Sequence, residues 1–338
     1  MPKKTKLIKI SIILGMLLIL LVTFMLFIEF FDAANAPFIP EDDNIVLHIE
    51  VIDIIEVSDI PELSLPFDTS GPDEIVSDVP PADDLVTVRM DPADIHRGSL
   101  LLINQRYAYE IPEDHEFVSV AENKTASYMI SEDDILICKS VIGPLNDMMD
   151  AFYANTVVDA VAVISGQRGY EKQQEILDEY IERLGEREAV RWAARPGHSE
   201  HHTGLAVDFG IYSNRTLRTF LGTGTSAWFK ENSYKYGFIL RFPQDKERLT
   251  GTPHEPWHFR YVGEVHAYFM HQNNWCLEEY LRMLGRCTLD APFTAVFNDV
   301  FYEIFYAGET DILIPLDCDF DISGNNIDGF IVTIVRTK

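Results

Sequence analysis

Basic residues are scarce. The 338-residue chain has 27 lysines and arginines against 54 acids, a formal net charge of −27. That argues against a nucleic-acid partner, because phosphate recognition needs a basic surface. Cysteine is sparse as well: there are four, Cys138, Cys276, Cys287 and Cys318. No two form a CxxC pair, which argues against a thiolate zinc site. Cys276 and Cys287 are near enough in sequence to bridge, but buried free thiols are the favoured reading. Also missing are a glycine-rich phosphate loop, a regular βαβ alternation and an internal repeat. Their absence points away from a doubly wound nucleotide-binding sheet and from a solenoid.

Apolar residues make up 47% of the chain, enough for a sizeable core. The N-terminus is basic, "MPKKTKLIK", and no charge interrupts the run from Ile10 to Ile28. A helix of about 20 apolar residues crosses a bilayer, and the flanking lysines would stay cytoplasmic. Ala34-Asn35-Ala36 resembles a signal-peptide cleavage box. The length of the run and the acids Glu29 and Asp32 favour an uncleaved anchor. The expected organisation is therefore a basic cytoplasmic tail (1–9), a transmembrane anchor (10–31) and an acidic, proline-rich spacer (32–95). A folded extracytoplasmic domain (96–288) and a small β-rich C-terminal appendage (289–338) follow. The spacer reading rests on "DIPELSLPFD" and "DVPPADD" and on sixteen acids against the single base Arg89 between Glu41 and Asp94.

Within the folded domain the pattern is α+β. "GSLLLINQRYAYEI" reads as a strand. "IGPLNDMMDAFYANT" has helical spacing at Leu145, Met148, Met149 and Phe152. "VDAVAVISG" reads as a buried strand. A long amphipathic helix starts at Tyr170 with a break expected at Gly185, and "EVHAYFMHQNNWCLEEYLRML" reads as one helix. The segment after Pro292 reads as short strands that could bind wall polymer or a partner or, the favoured reading, cover an exposed edge of the preceding domain.

The chemistry concentrates in two places. "PGHSEHHTGLAVDFG" carries His198, His201, His202 and Asp208, with Gly204 placed to turn the backbone. "HEPWHFRYVG" carries His254, Glu255 and His258. A catalytic zinc takes three imidazole or carboxylate ligands and leaves one position open. A glutamate beside a ligand histidine can move protons between water and a leaving amine. HxxxxxxD with ExxH meets that requirement, although spacing leaves open whether His201 or His202, and His254 or His258, would bind. His266 and His271, at no telling spacing, read as surface or packing residues.

"SGQRGYEKQQEI", "ARPGHSEHHTGLAVD" and "HEPWHFRYVG" resemble, in order, the three signatures of VanY-type D-alanyl-D-alanine carboxypeptidases, zinc peptidases of bacterial cell-wall metabolism. The resemblance covers about residues 98 to 285. It implies a small antiparallel sheet with packed helices, the fold shared with the hedgehog signalling domain. It implies one zinc per chain on His201, Asp208 and His258, Glu255 as general base and acid, Arg168 on the scissile carbonyl, and Gln173 and Ser199 on substrate. The implied partners are peptidoglycan stem peptides, met in the wall space outside the membrane. The chain departs from the pattern at His202, where glutamine is frequent, and at Gly169, where serine is frequent. The alternatives are an L,D-carboxypeptidase acting on tetrapeptide stems, a D-Ala-D-Ala dipeptidase, and a non-catalytic wall-binding module. An extracytoplasmic site disfavours the dipeptidase, because free dipeptide is cytoplasmic.

Overall fold

The computed structural model describes residues 85–336 apart from 214 and 317. The tail, the anchor and most of the spacer lie outside the described residues. Among the described residues no helix is long and apolar enough to cross a membrane.

The chain runs β1 (Leu85–Arg89), β2 (Phe117–Ser119), β3 (Met129–Ile130), β4 (Leu136–Cys138), α1 (Ile142–Thr156), β5 (Val161–Ser165), α2 (Tyr170–Leu184) and α3 (Glu186–Trp192). It continues through β6 (Ala206–Ser213), β7 (Thr216–Thr219), α4 (Ala227–Asn232), β8 (Phe238–Leu240), β9 (His258–Tyr261), α5 (Glu264–Gln272) and α6 (Leu277–Leu284). Five strands close it: β10 (Phe293–Phe297), β11 (Val300–Ala307), β12 (Asp311–Pro315), β13 (Asp319–Gly324) and β14 (Phe330–Arg336).

The central sheet has the order β3-β5-β6-β9-β8, with β7 paired to β6. Only the β3–β5 pair is parallel, so the fold is α+β. Helix α1 buries Leu145, Met148, Met149 and Phe152, each worth about 1.5–3 kcal/mol when fully removed from water. They pack with Val163, Val207 and Phe259 on one face of the sheet. Gly185 breaks α2 from α3 at a φ of 78°.

Three expectations are corrected. The segment 98–111 is not a strand. Its run Leu100 to Ile103 is buried with alternating partners: Leu100 and Leu102 join one apolar cluster, Leu101 and Ile103 another. Its backbone bonds go to turns and side chains rather than to a strand ladder. The stretch 264–284 is two helices, because Asn274 takes a φ of 52° and Cys276 opens α6, its backbone N–H capped by Glu279. The boundary at residue 95 is too late: Leu85–Arg89, with its apolar alternation, pairs with Asp311–Pro315 of the C-terminal region. That region is β-rich as expected, yet it is no free appendage. Ile304 and Ile331 share a core with Val262, Phe269 and Leu281.

Cys138, Cys276 and Cys287 form no disulfide. His266 is a packing residue, held between Tyr280 on α6 and Thr333 on β14, and His271 stacks on Tyr234.

Candidate active site

Three elements bring the site together. Asp208 on β6 lies directly opposite His258 on β9 in the antiparallel register. His201 comes from the single 3-10 turn Glu200–Thr203 that precedes β6. Gly204 ends that turn at a φ of 67°, and a Cβ there would meet the backbone nitrogen of Cys138 at 2.6 Å. Glycine alone suits both the left-handed conformation and the close approach.

Ligand atoms of His201, Asp208 and His258 lie within 4.8 Å of one another, and all three residues are buried. Spacing left two choices open; among the described residues the structure groups His201 rather than His202, and His258 rather than His254. His201 Nδ1 donates to the Gly166 carbonyl (2.6 Å), which leaves Nε2 facing Asp208 Oδ2 at 3.1 Å. His258 Nδ1 faces Asp208 Oδ1 at 3.0 Å, and its Nε2 faces Glu200 Oε2 at 3.3 Å. Two imidazole nitrogens and a carboxylate, each oriented by a hydrogen bond with Gly166, Glu200 or Arg168, fit a dication with mixed N/O preference such as zinc.

Glu255 lies next to this group, its Oε2 3.8 Å from His258 Nδ1. Burial pushes its carboxyl up to about 7, assisted by the nearby carboxylates of Asp208 and Glu200. Burial holds His201 down at about 4. Burial works against a charged His258, but its bonds to Asp208 and Glu200 raise it to about 9. The two imidazoles differ because Arg168 repels a proton on His201, whereas His258 is flanked by acids on both sides.

Arg168 fans over the group. Its Nε donates to Ser165 (2.9 Å), Nη1 to Gln173 Oε1 (3.1 Å) and Nη2 to Asp208 Oδ2 (2.8 Å). Gln173 is buried, and its amide nitrogen donates to the Ala194 carbonyl. Its contacts hold Arg168, and it also lines the cleft. His202 Nδ1 donates to the Arg168 carbonyl at 2.7 Å, and its Nε2 accepts from the Gly197 backbone N–H at 2.9 Å. In this chain His202 is a brace between Arg168 and the loop before His201. His198 and His254 bond the carbonyls of Asn104 and Phe242, not the ligand group. Ser199 and Trp257 line a cleft of about 200 Å³ together with Arg168, Glu255 and the three grouped residues.

Four residues not singled out from the sequence complete the site. Glu200, wholly enclosed, receives Arg241 Nε (2.7 Å) and Arg260 Nη1 (2.9 Å). Arg241 also forms a two-pronged bond to Glu278. Burial opposes a charge on Glu200, but Arg241 and Arg260 hold it well below the usual carboxylate range. Two arginines, one of them held in turn by Glu278, thus fix the Glu200 carboxylate behind His258. One signal was visible: Arg260 stands two residues after His258, hence on the same sheet face. Nothing in the sequence marks Glu200, Arg241 and Glu278 as one buried cluster.

The family profile described as VanY, D-alanyl-D-alanine carboxypeptidase, matches residues 135–264. A D-alanyl-D-alanine carboxypeptidase of Enterococcus faecium is 33% identical over 246 residues, covering 71% of this chain and 76% of that one. The chain belongs to the VanY D-alanyl-D-alanine carboxypeptidase family. A second such carboxypeptidase, from Enterococcus faecalis, is 35% identical over 243 residues, covering 68% of the VanY-family chain described here and 82% of its own length. Among solved structures, the vancomycin resistance D,D-dipeptidase VanXYg in complex with a D-Ala-D-Ala phosphinate analog superposes with a TM-score of 0.65. It is 33% identical and covers 75% of this chain and 99% of its own. The mixed α/β fold of this VanY-family chain is therefore that of a solved D,D-peptidase.

Proposed function

We propose that this chain is a zinc-dependent D,D-carboxypeptidase that removes the terminal D-alanine from peptidoglycan stem peptides. The observation that carries the proposal is the convergence of His201, Asp208 and His258 beside Glu255 in a cleft roofed by Arg168. His201 Nε2, an Asp208 oxygen and His258 Nδ1 would hold the metal. When bound, zinc supplies Lewis acidity, polarising a carbonyl and easing the ionisation of water.

The remaining chemistry belongs to the chain's own side chains. Glu255, buried and with a carboxyl near neutrality, is suited to accept the proton of the attacking water and return it to the departing amine. The C–N bond breaks, one water is consumed, and free D-alanine leaves. Arg168, fixed by Ser165 and Gln173, offers a held positive charge where the tetrahedral oxyanion develops, so little reorganisation is needed during reaction. Ser199 lines the same cleft, which supports a substrate contact there. The basic-then-apolar N-terminus supports an extracytoplasmic, membrane-anchored setting, where stem peptides occur.

The test is D-alanine release from a stem pentapeptide and a tetrapeptide in parallel, with Glu255→Gln as the paired variant. Release from the pentapeptide, lost in the variant, supports the proposal. Release from the tetrapeptide alone moves the chain to the L,D class. No release from either favours a wall-binding module.

A further inference from the structure

We propose that the C-terminal sheet is a working part of the substrate cleft: its Ser323–Asn326 turn fixes the loop 98–111, and Asn326 is a positioning residue for substrate binding. The kinetic part of this inference rests on the peptidase reading above; the structural part does not.

Loop 98–111 contains no helix or strand, so its shape depends on the partners of its backbone. Many of them come from the end of β13 and the turn that joins it to β14. Leu100 N–H donates to Ser323 Oγ at 2.9 Å, and Leu102 N–H to the Asn325 carbonyl at 3.0 Å. The Asn326 amide nitrogen donates to the Leu102 carbonyl at 2.9 Å and to the Ala108 carbonyl at 3.0 Å. One side chain thus clamps both shoulders of the loop. Between the shoulders, Asn104 Oδ1 accepts from the N–H groups of Arg106 and Tyr107 and closes the tip. The clamped tip is the part that meets substrate space. Ile103, Asn104 and Gln105 line the cleft, and the Asn104 carbonyl receives His198 Nδ1, which places His198 on the same wall.

The hairpin does not need Asn326 for its own closure. Asn325 does that work, its Oδ1 accepting the N–H groups of Ile327, Asp328 and Gly329. The Asn326 side chain instead points away from the hairpin, bridging Leu102, Ala108 and His96 Nδ1. It is buried, and it holds a φ of 60°, a conformation asparagine tolerates better than most residues. The interlock is tight on both sides. A Cβ on Gly98 would meet Ser323 Oγ at 2.3 Å, and one on Gly324 would meet the Ile95 carbonyl at 2.2 Å. The C-terminal sheet is therefore keyed to the cleft wall by side chains that sheet packing alone would not select.

The experiment uses the full chain with three variants. Asn326→Gly keeps the positive φ and deletes the clamp. Asn326→Asp keeps size and shape but sets a carboxylate against two carbonyl oxygens. Val332→Ala, a core change in the same sheet, is the stability control. The readouts are KM and kcat for the stem pentapeptide, zinc content, and amide hydrogen exchange across residues 99–109. Both Asn326 variants are expected to raise KM on the order of tenfold with kcat within about twofold, because the wall that positions substrate loosens while the reacting groups stay in place. Zinc content stays at the wild-type value, and exchange at Leu102–Ala108 accelerates. Val332→Ala lowers the unfolding temperature and leaves KM unchanged. A wild-type KM in Asn326→Gly, or an equal rise in Val332→Ala, overturns the inference. If the wild-type protein releases no D-alanine, the peptidase reading fails on its own, and unchanged exchange at Leu102–Ala108 overturns this one.

Discussion

Glu200→Gln is the most informative change at the buried end of the site. Glu200 accepts from Arg241 and Arg260 and faces His258, and its side chain is 2% exposed, so solvent does not screen these contacts. After the change Arg241 keeps its two bonds to Glu278 (2.9 and 2.7 Å). Arg260 keeps the carbonyls of Ser99 and Leu101 but has no anion left. Breaking a buried pair in this way costs about 3–5 kcal/mol, most of it from the stranded charge. The stability loss is read by urea denaturation. Glu278→Gln removes only one of the two acids on Arg241, which keeps its 2.7 Å bond to Glu200, and it leaves the carboxylate behind His258 untouched. Glu278→Gln should therefore lose less stability than Glu200→Gln, and the two variants should also separate in metal affinity. Glu200→Gln should bind zinc roughly 10–100-fold more weakly, the usual effect of removing the carboxylate behind a ligand histidine. Glu278→Gln should stay near the wild type. A stability loss below about 1 kcal/mol, or equal zinc affinities in the two variants, would refute the reasoning.

Other consequences follow from the same structure. Glu255→Gln should lower kcat by about 10²–10⁴-fold while retaining metal, as expected for loss of a general base; kinetics alongside metal analysis checks this. Gly204→Ala should destabilise the chain by at least about 1–3 kcal/mol, because alanine must hold the left-handed φ with its Cβ against Cys138; its unfolding midpoint should fall. His266 is held down at about 4 by burial, from an ordinary 6.5. Its folded-state value is depressed, so its contribution is full above 6.5 and is lost as pH falls towards 4, by up to roughly 3 kcal/mol. His266→Gln should flatten stability against pH in that window, and an unchanged slope would show that another group carries the acid sensitivity.

The sequence was legible where one element's own periodicity decides the outcome. Leu145, Met148, Met149 and Phe152 form the buried face of α1, and Gly185 separates two helices. The grouping of His201, Asp208 and His258 was legible through the resemblance of the three motifs, because spacing alone left His201 or His202, and His254 or His258, open; Gly204 marked the turn. What escaped depends on partners distant in sequence. Leu85–Arg89 is a strand because Asp311–Pro315 lies beside it. Residues 98–111 are apolar enough for a strand, yet they spend their backbone bonds on a turn more than 200 residues away. Glu200, Arg241, Arg260 and Glu278 look like ordinary surface charges until the fold encloses them.

The central claim is that the His201, Asp208 and His258 group hydrolyses a D-alanyl peptide with one bound metal. The direct measurement is D-alanine release from a stem pentapeptide by chelator-stripped protein titrated with zinc. The account predicts a rise that breaks at one equivalent and is absent in His258→Ala. Release that needs no metal, or that survives in His258→Ala, would contradict it.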